Sequence, residues 1–330
     1  MPDSSLTSIP LPFGLKPLAV APALLWGLGG VLVVLTLGAI AALALPLAFP
    51  GKDYSNLRQR TNSWWVMVAL LAAALVLGWP ATTALFCVIS FIALREFLSL
   101  APMRREDRYV ILAAYLAVAV NYAFIAADQY GIYLVFIPVY CFMAAPFLMA
   151  GIGQTRGFLS TAATINWALM SCVYAIGYVA FLMRTPASEH LPAGPAGLVF
   201  LLLAATEAND VAQYVWGKLF GRHKITPRVS PNKTWEGFVG GWITTAALIW
   251  FVGPYFAPLE GAGRAWIAGT LPLAGFAGDV TMSAIKRDIG VKDTSALIPG
   301  HGGMLDRADS LTFTAPLYFH LLAFFSLKAF

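Results

Sequence analysis

Apolar runs close to twenty residues long recur along the whole chain, each closed by a short break of polar, Gly or Pro residues. Such a run is the length an α-helix needs to cross the hydrocarbon core of a bilayer, about 20 residues. Ten runs are found, near 20–49, 64–79, 80–99, 109–127, 131–150, 158–183, 196–218, 238–257, 265–285 and 311–328. The second and third are parted only by Gly78-Trp79-Pro80, which predicts a tight helical hairpin. The pattern predicts an all-α, polytopic integral membrane protein of about ten transmembrane helices. Residues 1–157 form an N-terminal bundle of about five spans with few polar groups. Residues 158–330 form a C-terminal bundle that carries the chemistry, with polar loops at 219–237 and 286–310.

Composition narrows the class further. Of the 330 residues, 59% are hydrophobic and 11% are charged, against roughly 25% charged in a soluble domain. Disorder and a soluble fold are excluded. The net charge of +5 reflects loop topology, because 17 of the 21 Lys and Arg residues fall on alternate loops of a ten-span arrangement. Positive charge stays on the cytoplasmic side, so loops 219–237 and 286–310 are cytoplasmic and both termini face away. No basic run is interleaved with aromatics, so nucleic acid is not a partner. Cys87, Cys141 and Cys172 sit in apolar stretches without metal-ligand spacing, as buried hydrophobes do. The N-terminal stretch lacks a basic n-region and reads as retained. Arg95 and Glu96, near the end of the third span, are candidates for function, with an interfacial anchor or a local ion pair as the plainer reading.

Three polar clusters break the apolar pattern. The first is Thr206 to Lys224, where Glu207, Asn209 and Asp210 lie inside an apolar helix and Glu207, Asp210 and Tyr214 share a face. Carboxylates within a span are costly and mark sites. The second, Gly221 to Gly241, offers Arg222, Lys224, Arg228 and Lys233 beside Ser230, Asn232 and Thr234, just before a Gly-rich helix start. Cations at a helix N-terminus make a phosphate cradle. The third, Gly278 to Ser310, holds Asp279, Ser283 and Lys286 on one helix face. It continues with Lys292, Asp293, the turn Pro299-Gly300-His301-Gly302-Gly303, and Asp306, Arg307 and Asp309. Carboxylates and oxygen donors suit a hard cation such as Mg²⁺, and the cations suit phosphate. Together they are the inventory of phosphoryl or nucleotidyl transfer.

The run Ser283-Ala-Ile-Lys-Arg, then Lys292-Asp293, then Ile298-Pro-Gly-His-Gly-Gly-Met-Leu-Asp-Arg-Ala-Asp309 closely resembles the signature of the phosphatidate cytidylyltransferase (CDP-diacylglycerol synthase) family. Ser230-Pro-Asn-Lys-Thr-Trp-Glu-Gly237 resembles that family's second hallmark, and Gly217-Lys-Leu-Phe-Gly-Arg-His-Lys224 also fits. The resemblance covers roughly 200–315. It implies Mg²⁺-dependent transfer of a cytidylyl group from CTP to phosphatidate at the cytoplasmic face, with pyrophosphate released. It implies metal binding by Asp210, Asp279, Asp306 and Asp309. Catalytic roles fall to Asp279, Lys286, Arg287, Lys292, Asp293, His301, Asp306 and Arg307. Binding of CTP or lipid phosphate falls to Lys218, Arg222, Lys224, Ser230, Lys233, Thr234, Trp235 and Glu236. The lipid phosphate is the nucleophile, so no protein nucleophile is needed. The chain departs from the family pattern at Met282, where an acidic residue is usual, at Val211-Ala212-Gln213, and at the small Ala308.

Two other functions share parts of this inventory. A membrane lipid or polyprenol kinase would also need nucleotide and metal. A transporter of an anionic solute would also place polar groups in broken spans, but here they crowd to one end of the C-terminal third. Long apolar faces leave room for a homodimer.

Overall fold

The computed structural model describes residues 7–9, 18–49, 53–186 and 191–327. The N-terminal stretch read as retained lies largely outside the described residues, as do Lys16, Lys52 and Lys328 of the charge pattern. The chain is overwhelmingly helical, and among the described residues eight helices are long and apolar enough to cross a membrane. They are α1 (Pro22–Ala48), α2 (Ser55–Leu77), α3 (Trp79–Leu100), α4 (Arg108–Ala126), α5 (Tyr130–Gly151), α6 (Phe158–Leu182), α7 (Gly194–Phe220) and α8, which runs Trp235–Val252 and ends in a 3₁₀ turn. The ninth and tenth expected spans are helical but differ from that standard. Helix α9 (Gly261–Ile289) is long but carries Arg264, Asp279, Lys286, Arg287 and Asp288. After the single turn α10 (Leu305–Ala308), helix α11 (Leu311–Leu322) has only 12 residues and runs on through a π-turn at Ala323–Leu327.

Local sequence explains the breaks. Gly78 ends α2 at φ +91°, a conformation closed to residues with a Cβ, and Pro80 then sits in the first turn of α3, so the expected hairpin forms. The π-turn within α5, Phe136–Cys141, spans Pro138, whose missing N–H interrupts the helical ladder. Two short antiparallel hairpins complete the fold. One pairs β1 (Thr7–Ile9) with β2 (Leu18–Val20); the other pairs β3 (Lys224–Thr226) with β4 (Ser230–Thr234).

The buried apolar core is continuous from Val20 to Leu322. Helices α7 and α8 approach so closely that a Cβ on Gly237 would lie 2.7 Å from the Gln213 carbonyl oxygen and 2.9 Å from the Gly217 Cα. Small residues permit this in membrane helices, where dispersion replaces the hydrophobic effect as the driving force. Polar side chains tie the same helices together. The Asn209 amide donates to the Pro272 carbonyl at 3.2 Å, the Thr245 hydroxyl donates to Asn209 Oδ1 at 3.5 Å, and the Thr206 hydroxyl donates to Thr314 Oγ1 at 3.0 Å. These bonds tie α7 to α8, α9 and α11 at Thr206 and at Asn209, next to Asp210.

Candidate active site

Three carboxylates from separate elements meet at one end of the C-terminal helices. Asp210 comes from α7, Asp279 from α9 and Asp309 from the turn between α10 and α11. Gly278 lets α9 touch that turn, since a Cβ there would lie 2.7 Å from the Asp309 carbonyl oxygen. The Ser310 hydroxyl donates to Asp210 Oδ2 at 2.8 Å, while Asp210 Oδ1 is buried with no hydrogen-bond partner. Asp279 Oδ2 pairs with Lys233 Nζ at 2.6 Å, and Asp279 Oδ1 accepts from the Ser283 hydroxyl at 3.2 Å. Lys233 also donates to Gln213 Oε1 at 3.2 Å. Burial, and then the charge of Asp279, raise the Asp309 carboxyl well above its usual range, with Lys286 opposing at 3.8 Å.

Asp306 faces a different way from this trio. Its Oδ1 accepts from Lys286 Nζ at 2.7 Å, and its Oδ2 accepts from Thr294 N at 2.7 Å, Gly303 N at 2.9 Å and the Thr294 hydroxyl at 3.0 Å. Burial alone would raise this carboxyl, but Lys286 and the backbone N–H groups outweigh it and hold Asp306 below the usual range. The three-residue spacing of Asp306 and Asp309 thus places them on either side of one ammonium. Among the described residues, no group of three or more His, Cys, Asp and Glu side chains is drawn together into a metal-binding arrangement. Lysines lie against Asp279 and Asp306 instead.

The cationic loop after α7 is a β-hairpin. Thr234 caps α8, accepting from Gly237 N at 3.1 Å. Glu236 accepts from Arg222 N at 3.0 Å, from His223 N, and pairs with the His223 ring, so it staples the hairpin to the helix. Arg287 donates to the Val229 and Val291 carbonyls at 3.3 and 3.1 Å, tying the hairpin to the end of α9. That end is a Schellman turn: Gly290 takes φ +84° and Val291 N donates to the Lys286 carbonyl at 2.9 Å. Lys218, Arg222, Lys224, Lys292, Asp293, Arg307 and Trp235 are exposed around this rim, and Ser230 is half-buried in β4.

His301 sits in the turn 298–302, closed by Ile298 N donating to the Gly302 carbonyl at 2.8 Å. It packs edge-on against Trp64 of α2, with ring centroids 5.9 Å apart. Burial, then Arg307 and Arg60, keep its imidazole below the ordinary pKa and so neutral near pH 7. Arg60 Nε donates to the Gly300 carbonyl at 2.9 Å and the Ser63 hydroxyl to the Pro299 carbonyl at 2.8 Å. Glu96 of α3 is buried against the same loop. Position near a span end made it read as an anchor. A carboxylate so placed among apolar residues was the only local signal for a deeper role.

Part-buried carboxylates from α7, α9 and the turn before α11, two of them beside lysines and all near an exposed cationic hairpin, mark the polar centre of an integral-membrane protein. Residues 58–325 match the family described as the Cytidylyltransferase family, and the chain belongs to it, a family of nucleotidyltransferases. The chain is 40% identical over 278 residues to the uncharacterized protein YnbB of Escherichia coli (strain K12), covering 83% of this chain and 90% of that one. It is 30% identical over 298 residues to the phosphatidate cytidylyltransferase of a Synechocystis species, 80% of this chain and 96% of that one. With the phosphatidate cytidylyltransferase of Haemophilus influenzae it shares 40% identity over 158 residues, 45% of this chain and 54% of that one.

Proposed function

We propose that this protein transfers a cytidylyl group from CTP to phosphatidate, giving CDP-diacylglycerol and pyrophosphate, at the cytoplasmic face of its membrane. The observation that supports this most is the convergence of Asp210, Asp279 and Asp309, from two helices and a turn, beside Lys233 and Lys286. The phosphatidate cytidylyltransferase relatives supply the substrate class. A phosphate oxygen of the lipid attacks the α-phosphorus of CTP, the bond from that phosphorus to the bridging oxygen of the β-phosphate breaks, and pyrophosphate leaves. Chemistry of this kind rests on positioning and charge neutralisation.

The donor chemistry of the acidic residues, though not their present spacing, suits a divalent cation such as Mg²⁺. Asp210 Oδ1 is a buried oxygen without a partner, and the neighbouring donors are carboxylates and hydroxyls, the set a hard cation takes. Asp210, Asp279 and Asp309 would hold it, and when bound it would neutralise phosphate charge. Lys233 would turn from Asp279 to the phosphates, Lys286 would meet them while held by Asp306, and exposed Lys218, Arg222, Lys224, Lys292 and Arg307 would draw the triphosphate in. Asp306, engaged by four donors, holds Lys286 in place. Thr234 and Glu236 act by shaping the hairpin.

Of the departures from the family pattern, Gln213 touches this centre, holding Lys233 at 3.2 Å, while Met282 and Ala308 are buried. The test therefore offers several lipid phosphates. Purified protein is given Mg²⁺, labelled CTP, and phosphatidate or another lipid phosphate. A CDP-lipid with stoichiometric pyrophosphate is expected, with phosphatidate the best acceptor. Nucleoside diphosphate release with a phosphorylated alcohol would instead identify a kinase, and solute flux in vesicles without nucleotide turnover a transporter.

A further inference from the structure

Glu96 lies at the end of α3, about two hundred residues from the polar loop it touches. Its carboxylate takes four donors from that loop, two on each oxygen. Oε1 accepts from the Ser295 hydroxyl at 2.7 Å and Met304 N at 3.0 Å; Oε2 accepts from Leu305 N at 2.9 Å and the Thr294 hydroxyl at 3.0 Å. The residue is buried, with 7% of its surface exposed. A buried carboxylate is tolerated when its lone pairs are filled by donors, and this one meets backbone N–H groups at the start of α10. The Thr294 hydroxyl also lies 3.0 Å from Asp306 Oδ2. Its single proton faces two carboxylates, which brings Glu96 and Asp306 onto one shared group. Gly303 completes the fit, since a Cβ there would collide with both the Thr294 hydroxyl and the Glu96 carboxylate.

We propose that Glu96 is a positioning residue for the transfer reaction, acting from the first half of the chain on the Lys286–Asp309 side of the site. This rests on the function proposed above. The connection runs through contacts already described. Glu96 fixes Thr294 and the start of α10; that geometry sets Asp306; Asp306 holds Lys286 Nζ at 2.7 Å; and the same ammonium lies 3.8 Å from Asp309. Arg60 and Ser63 hold the tip of the loop by its carbonyls, so α2 and α3 grip it at two points. The carboxylate matters more than its shape. A glutamine at 96 would turn its NH₂ toward donors on whichever side it faced, leaving one pair of loop donors unfilled.

The experiment compares Glu96→Gln and Glu96→Asp with the parent protein in detergent, reading CTP turnover and amide hydrogen exchange. Glu96→Gln should lower kcat roughly tenfold to a hundredfold, as small misplacements of reacting groups do, with KM for CTP little changed. It should also speed exchange across 294–305. Glu96→Asp keeps two anionic acceptors and should retain more activity than Glu96→Gln, although Gln matches Glu more closely in size. Thr294→Val, which removes one donor only, should show a smaller effect of the same kind. Activity ranking Gln at or above Asp, or unchanged exchange across 294–305 in Glu96→Gln, overturns the proposal. If the parent protein makes no CDP-lipid, the functional reading fails, whereas the exchange comparison still decides whether Glu96 holds the loop.

Discussion

Replacing Asp306 with Asn changes one atom and removes a charge that four donors address. Lys286 Nζ and Asp306 Oδ1 lie 2.7 Å apart with side-chain exposures of 13% and 4%. Removing one partner of a buried pair costs about 3–5 kcal/mol, because the other charge is left uncompensated. The amide cannot relieve this. Its oxygen can face Lys286, but its NH₂ then meets Thr294 N and Gly303 N, both donors; rotated, the NH₂ meets the ammonium. The damage should be local, since α10 and the loop are anchored elsewhere by Glu96, Arg60 and Ser63. A loss of about 3 kcal/mol in local stability corresponds to amide exchange at Thr294 and Gly303 faster by on the order of a hundredfold. Hydrogen exchange read by mass spectrometry on peptides covering 290–306 measures it, with peptides of α7 and α8 as internal controls. In a Lys286→Met background the added effect should shrink, because the uncompensated ammonium is gone. Exchange at 290–306 unchanged in Asp306→Asn would refute the view that this carboxylate organises the loop.

Further outcomes follow from the same geometry. Asp279→Asn should abolish CTP turnover while leaving detergent elution and thermal unfolding near those of the parent; retained turnover would remove Asp279 from the reacting centre. Gly237→Ala puts a Cβ 2.7 Å from the Gln213 carbonyl oxygen, so it should lower stability by about 1–3 kcal/mol through overpacking, read as a lower unfolding temperature. The depressed imidazole of His301 gives the loop a signed pH response. Its stability is full above the ordinary pKa of about 6.5 and falls as acid favours the protonated, unfolded loop. Protease cleavage in 295–303 should therefore accelerate below that pH, and His301→Gln should flatten the response. Asp306 is depressed as well, so its contribution should persist until pH falls below about 4, the unfolded carboxyl's range.

Much of the fold was legible because a bilayer imposes length. An apolar run of about twenty residues has few alternatives to a helix, and all ten expected runs are helical. The last two depart where chemistry intrudes: α9 exchanges apolarity for charges, and α11 is short. In the candidate site, Asp210 and Asp279 stood out because a carboxylate in a span is costly, and Asp309 because it closes a dense run of polar residues in the loop before the last helix. The directions of side chains were not legible. Asp306 and Asp309 look equivalent at three-residue spacing, yet Lys286 lies 2.7 Å from the first and 3.8 Å from the second, and the backbone donors of Thr294 and Gly303 go to Asp306. That Thr234 caps α8 and Glu236 staples the hairpin was not legible either, because a hydroxyl and a carboxylate beside a helix start serve equally as caps, staples and ligand contacts. Glu96 was visible near the end of the third span, but its partners were not, because its donors lie about two hundred positions away, beyond any local pattern.

The grip of Glu96 on the loop joins residues 198 to 209 positions apart in the chain. During synthesis, α3 enters the bilayer long before its partners leave the ribosome, and its carboxylate must wait, solvated at the interface, until the final helices arrive. A chain cut short before residue 294 therefore carries a stranded anion where the finished protein has a filled socket.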